Sequence, residues 1–198
     1  MEKEMIINLL SGVWPMILLF CVVIISLRTT YIIKRKVKVD FYNEIFYLFF
    51  LVYILFFFHI VTFQDVAWST SNFTPFKEIF RYNFGSVAFY KNVVGNMIMF
   101  MPYGLFVSYF IRLKKPYIIL LLSFIVSMTI ETTQLLIGRV FDIDDIFLNI
   151  LGGLFGFLIY CFLNKLINKL PSFLKKDWFY NIITILVICA GVIFFIIV

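Results

Sequence analysis

About six runs of apolar residues, each on the order of 20 residues long, leave this chain few ways to fold. They extend approximately over Ile6 to Leu27, Glu44 to Phe63, Asn92 to Ile111, Tyr117 to Ile137, Asp145 to Leu163 and Trp178 to Val198. An α-helix rises 1.5 Å per residue, so about 20 residues cross a hydrocarbon core of roughly 30 Å. A chain of 198 residues then holds about six crossings with short connections and has no room for a soluble domain of any size. Hydrophobic residues make up 63% of the chain and charged ones 14%, a balance that only a mostly lipid solvent accommodates. The expected fold is an all-α integral membrane bundle of about six transmembrane helices, forming one multi-pass domain over residues 1–198. The first run is expected to be a retained helix, because Glu2, Lys3 and Glu4 precede it and no small-x-small cleavage site follows it.

The formal net charge of +6 does not point to nucleic acid, because the basic residues sit in short clusters between apolar runs. Arg28, Lys34, Arg35, Lys36, Lys38, Arg112, Lys114, Lys115, Lys165, Lys169, Lys175 and Lys176 fall on one side of the implied topology. Lys3, Lys77, Arg81, Lys91 and Arg139 fall on the other. The positive-inside rule assigns the first group to the cytoplasm and predicts an N-out, C-out arrangement. Cys21, Cys161 and Cys189 each lie inside an apolar run and read as small buried hydrophobes rather than a disulfide or zinc framework.

The long loop from Gln64 to Lys91 then faces outward. Phe76, Ile79, Phe80, Phe84 and Val87 recur at three- and four-residue steps, with Lys77, Glu78 and Arg81 off that stripe. The pattern predicts an amphipathic interfacial helix on the outer leaflet, with Pro75 in its first turn. An ordinary interfacial connector and a lid over a site are both open readings of this loop.

Polar groups inside apolar runs are expensive and mark candidate sites. Asn92 and Asn96 are one turn apart near the outer start of the third run, and Glu131 and Gln134 near the outer end of the fourth. Arg139, Asp142, Asp144 and Asp145 fill the turn that follows, and Asn149 shares a helical face with Asp145. Counted from the helix ends, Asn96, Glu131, Gln134 and Asn149 reach one layer, roughly 5 to 10 Å below the outer surface. Asp142 also reads as the N-cap of the fifth helix, with Asp144 and Asp145 on the positive end of its dipole. No helix start is expected at the depth of Glu131, so this residue should be protonated, paired with Arg139 or coordinating something. Arg139, about two turns on, can reach back to Glu131 or forward to an anionic ligand. Gly152, Gly153 and Gly156 form a small-xxx-small face, and Gly95 and Gly104 thin the third helix, which together predict close helix contacts. Pro102 removes an amide donor near the middle of that helix and frees the Ile98 carbonyl.

Three segments carry a family resemblance: NFTPFKEI from Asn72 to Ile79, NVVGNMIMFMPYGL from Asn92 to Leu105, and ETTQLLIGRVFDIDDIFLNILGGLFG from Glu131 to Gly156. In these the chain resembles the VanZ-like family, bacterial membrane proteins named for a teicoplanin resistance protein, with a core over about 72–163. The resemblance implies a role in resistance to teicoplanin and related lipoglycopeptides, or in the cell envelope of a Gram-positive bacterium, at its plasma membrane. It brings no catalytic assignment.

Two mechanisms of different class fit the residues. In the first, a binding or transport module holds an envelope lipid headgroup or the antibiotic at an outward-facing polar pocket. Arg139 and Lys91 would take phosphate, and Asn92, Asn96, Gln134 and Asn149 would take sugar or peptide groups. In the second, a membrane-embedded enzyme acts on a phosphate-containing envelope lipid. There Glu131, Asp142 and Asp145, with Asn149, would hold Mg²⁺ or Ca²⁺, or Glu131 would serve as a general base. The sequence requires no cofactor, and no Ser or Cys stands beside a base at the outer level, which favours the binding reading.

Overall fold

The computed structural model describes residues 2–37, 39–63 and 71–197, with side chains described over 12–37, 39–62 and 71–190. The first part of the long loop, from Gln64, lies outside the described residues, as does Lys38. The helices are α1 (Glu2–Arg35), α2 (Phe41–Phe63), the short α3 (Lys77–Arg81), α4 (Val87–Ile111), α5 (Pro116–Leu136), α6 (Ile143–Lys169) and α7 (Asp177–Ile197). The described residues form no β-strand, and one isolated bridge joins Asn72 to Asp142.

Among the described residues, 5 helices are long and apolar enough to cross a membrane: Gly12–Arg35 of α1, Phe41–Thr62 of α2, and α4, α5 and α6. The sixth run forms α7, an apolar helix whose described side chains, Asp177–Ala190, are too few to qualify as a span. The helices start earlier than the hydropathy pattern predicts, and at two of them a cap sets the start. α4 begins at Val87 rather than Asn92, because Ser86 accepts a hydrogen bond from the Phe89 amide at 3.1 Å and caps the helix there. α6 begins at Ile143, capped by Asp142.

The chain divides into two compact units, one of Met1–Phe56 with Leu166–Val198 and one of Phe57–Lys165. In the first, Arg28 meets Glu44 through two nearly parallel bonds of 2.9 and 2.8 Å, the fork geometry that makes Arg–carboxylate pairs strong. The Tyr42 amide donates to Asn181 of α7 at 3.0 Å, and the Tyr42 and Tyr180 rings lie 5.4 Å apart.

The second unit is built on close backbone approach. A Cβ added to Gly104 would strike the Gly153 backbone, one on Gly152 would strike the Met97 carbonyl, and one on Gly156 the Met101 carbonyl. The small-residue face of α6 thus lies directly against α4, as packing in lipid favours. On the same unit α5 buries Ile119, Ser123, Ser127 and Glu131, four residues at steps of four that form one continuous stripe. Small hydroxyls let α5 come close: a Cβ on Gly153 would meet the Ser123 hydroxyl. α4 runs on through Pro102 to Ile111, and its irregular turn lies instead at Tyr90–Val94, a π-helical segment next to the polar residues described below.

The long loop departs from the expected single amphipathic helix. Among its described residues only Lys77–Arg81 is helical before the chain turns through Asn83, Phe84 and Gly85, whose φ of 81° is left-handed, and re-enters a helix after Ser86. Gly85 supplies the turn conformation and Ser86 the next cap, so the apolar stripe is divided between two elements. Pro75 precedes the N-cap, Phe76, rather than occupying the first turn of α3.

Candidate functional site

The site is assembled around the start of α6. Asp142 caps that helix in the ordinary way, its Oδ1 accepting the Asp144 amide at 2.9 Å. The same oxygen accepts a bond of 2.9 Å from the Asn72 side chain. Asn72 is buried and its backbone is tied in on both sides, with its amide on the Phe141 carbonyl at 2.8 Å and its carbonyl receiving the Ile143 amide at 3.1 Å. Burial pushes the Asp142 carboxyl above the ordinary carboxylate range, against the Asn72 and Asp144 donors that pull it down.

Asp144, 1% exposed, holds the loop. Its Oδ1 accepts the Phe76 amide at 2.5 Å, and its Oδ2 accepts those of Glu78 at 2.7 Å and Ile79 at 3.2 Å. These are amides that the start of a short helix leaves without partners, so one buried carboxylate both satisfies and positions α3. Asp145, one residue on, accepts a hydrogen bond from the Asn96 side chain of α4. The three acids that follow the Gly138 turn therefore reach three different segments of chain.

Glu131 differs from expectation. Its Oε2 accepts the Asp142 backbone amide at 2.9 Å, so a helix start does lie at its depth. The reason is the turn after α5. Gly138, with φ of 82°, lets the chain fold back, and the Arg139 amide closes on the Gln134 carbonyl at 2.8 Å. Asp142 is thereby returned to the level of Glu131. Arg139 donates to the Val61 carbonyl in the last turn of α2, where Gln134 also donates at 3.3 Å. A cation there complements the negative end of the helix dipole. Asn149 lies one turn further along α6 and donates to the buried Ser127 hydroxyl at 2.9 Å. Replacing it with alanine is expected to lower stability by about 1 to 2 kcal/mol, the usual cost of removing a partner from a buried polar group. Unfolding in detergent micelles measures this directly.

A pocket of about 270 Å³ opens beside this assembly. Glu78, Ile79 and Tyr82 line it from α3 and its end, and Lys91, Asn92 and Asn96 from α4. Asp142, Asp144 and Asp145 contribute from the start of α6, with Ile60, Met99 and Leu148 as apolar wall. Of the residues singled out from sequence, Lys91, Asn92, Asn96, Asp142, Asp144 and Asp145 meet at this pocket. Glu131, Gln134, Arg139 and Asn149 are placed in the supporting structure around it. The Asn92 side chain donates to the Ala88 carbonyl of its own helix at 2.9 Å, which leaves the rest of its amide facing the pocket. Among the described residues no Ser, Thr, Cys or His lines the pocket, and no group of three or more His, Cys, Asp or Glu is arranged to hold a metal ion.

Comparison with known families places this geometry. The model of the VanZ/LLP1 family matches residues 44–164, well over half of the chain. The chain belongs to the VanZ/LLP1 family. Its match covers the whole of the described pocket, from Ile60 to Leu148. No curated protein and no solved structure gives a significant match. Within this VanZ/LLP1 protein the three segments that carried the resemblance are joined by hydrogen bonds. Asn72 of the first meets Asp142 of the third, Asn96 of the second meets Asp145, and the amides of Phe76, Glu78 and Ile79 meet Asp144.

Asn72 was legible only as a member of a motif, Asp144 was read only as a partner of the helix dipole, and Ser123 and Ser127 were missed. The signal for the serines was available: Ile119, Ser123, Ser127 and Glu131 fall on one line of α5, and a line of small polar residues in an apolar helix marks a buried face.

Proposed function

We propose that this VanZ/LLP1 protein is a non-enzymatic binding module of the cell envelope. It holds the polar headgroup of an envelope lipid, or a lipoglycopeptide such as teicoplanin, in the pocket between α3, α4 and α6. In this reading the protein resides in the plasma membrane of a Gram-positive bacterium with both termini and the pocket outside, and it contributes to teicoplanin resistance or envelope homeostasis. The observation that carries the proposal is the character of the lining. Among the described residues, amides, carboxylates, one phenol and one ammonium converge on a cavity inside a lipid-embedded unit, with no nucleophile beside a base. Such a surface suits hydrogen bonding to sugar hydroxyls and peptide groups.

In this reading the anion-binding role passes to Lys91. Lys91 lines the pocket while Arg139 is engaged on α2, so Lys91 is the cation available to a phosphate. The test compares growth in teicoplanin of a susceptible Gram-positive host expressing the wild type or Asn92→Ala/Asn96→Ala, at matched membrane levels. The wild type is expected to raise tolerance and the double variant to lose most of that gain. Equal protection by both sinks the reading.

A further inference from the structure

The binding reading makes no use of the apolar surface at the pocket end of the second unit. Among the described residues the most exposed large apolar side chains are Phe84, Val87, Phe80 and Leu136, at 89, 84, 82 and 81%. Phe80 closes on the end of α3, Phe84 lies in the turn beyond it, Val87 begins α4 and Leu136 ends α5. All four therefore stand where membrane-crossing helices emerge, at the end that carries the pocket. α3 has two faces. Glu78 and Ile79 line the pocket, whereas Phe76 and Phe80 are exposed away from it.

The charge on the outer face is basic. Lys77, Arg81 and Lys91 are exposed among the aromatic residues, while Glu78, the acid that pairs with Arg81 at 3.1 Å, is only 22% exposed. Exposed aromatic side chains with interspersed Lys and Arg, continuous with a spanning helix, match the boundary between headgroups and acyl chains of an anionic leaflet. We propose that residues 76–87 form a lipid-surface anchor. Phe80, Phe84 and Val87 enter the leaflet, and Lys77 and Arg81 rest on anionic phospholipid headgroups. The anchor is independent of what the pocket holds, and it sets the pocket mouth at headgroup depth.

The experiment uses the full chain with Trp14, Trp68 and Trp178 replaced by Phe and with Phe84→Trp as the reporter. It is reconstituted into phosphatidylcholine vesicles carrying equal fractions of brominated phosphatidylcholine or brominated phosphatidylglycerol. Blue-shifted emission is expected, with a loss of about half or more on brominated lipid, the response of an aromatic ring at the interface. The loss should be greater with the phosphatidylglycerol, and Lys77→Gln/Arg81→Gln should remove that difference while leaving the phosphatidylcholine quenching intact. Phe80→Trp provides a second reporter should the first variant fail to insert. Emission typical of tryptophan in water and insensitive to brominated lipid overturns the anchor. Equal loss with the two lipids overturns the anionic assignment.

Discussion

Gly104→Ala is expected to destabilise the protein by about 3 kcal/mol or more, at the upper end of what one added methyl group costs in a packed core. The Cβ would strike backbone rather than a side chain: the Gly153 carbonyl oxygen, with the carbonyl carbon at 2.7 Å and the Cα at 2.8 Å. Backbone of a neighbouring helix cannot rotate aside, so α4 and α6 would have to separate along their whole contact. That separation would also loosen the Asn96–Asp145 bond at the pocket. Gly95→Ala is the matched control. Its nearest foreign atom is the Tyr90 carbonyl oxygen at 3.6 Å, an ordinary contact, and alanine should leave stability within about 0.5 kcal/mol because it is the better helix former. Unfolding of both variants in mixed micelles measures the difference. Comparable stability of the two would remove the close-packed α4–α6 contact from the account.

Asp144→Ala has the second large expected effect, and its nature differs. Three backbone amides lose their acceptor at once, for an expected cost of about 2 to 4 kcal/mol. Phe76 sits in the left-handed region at φ 65°, a conformation that costs a non-glycine residue roughly 1 to 2 kcal/mol and is held here by the bond from its amide to Asp144. Without that bond the backbone should relax and α3 should leave its position, taking Glu78, Ile79 and Tyr82 from the pocket wall. Asp144→Asn is expected to be nearly as damaging. Both carboxylate oxygens accept amides, and an asparagine must present NH₂ to one of the two sets. Hydrogen exchange at Phe76, Glu78 and Ile79 reads the release directly. Protection should fall at these amides in both variants, while α5 and the body of α6 keep theirs.

The membrane architecture was legible because the bilayer imposes a length. A run of about 20 apolar residues has few alternatives to a spanning helix, and the structure places helices on every such run. The ends of those helices were less legible, because caps rather than hydropathy set them. Ser86 starts α4 five residues before the apolar run that contains Asn96, and Gly85 divides a stripe whose spacing alone reads as one helix. Each of these residues carries a local signal that a periodicity count passes over.

The site shows the same division. Asp142 as a cap follows from spacing, whereas of the layer counted from the helix ends, Asn96, Glu131, Gln134 and Asn149, only Asn96 lines the pocket. The satisfaction of Glu131 does not follow from spacing, because depth counted along α5 treats the turn after it as leading away from the bundle. The left-handed Gly138 turns the chain back and delivers the Asp142 amide to the Glu131 carboxylate. Arg139 likewise was expected to reach Glu131 or a ligand, whereas the fold brings the end of α2 to it, and a helix's last carbonyls are good acceptors for a guanidinium. Contacts made through a turn of this kind depend on three-dimensional closure and leave no trace in residue spacing.

The central claim is that the pocket between α3, α4 and α6 is where a polar headgroup binds, and Lys91 and Asn92 test it most cleanly. Both line the pocket, and the Asn92 side chain bonds only within its own helix, so Lys91→Ala/Asn92→Ala removes pocket groups while leaving the Asp142, Asp144 and Asp145 contacts in place. The measurement is the affinity of teicoplanin, and separately of a short-chain phosphatidylglycerol, for the protein in nanodiscs as wild type, as this double variant and as Asn149→Ala, whose side chain lies outside the pocket. The account predicts saturable binding of at least one probe to the wild type, a loss of about tenfold or more in the double variant, as expected when two polar contacts are removed from a desolvated site, and near wild-type affinity for Asn149→Ala. Saturable binding that is unchanged in the double variant, or no binding of either probe to the wild type, would contradict it.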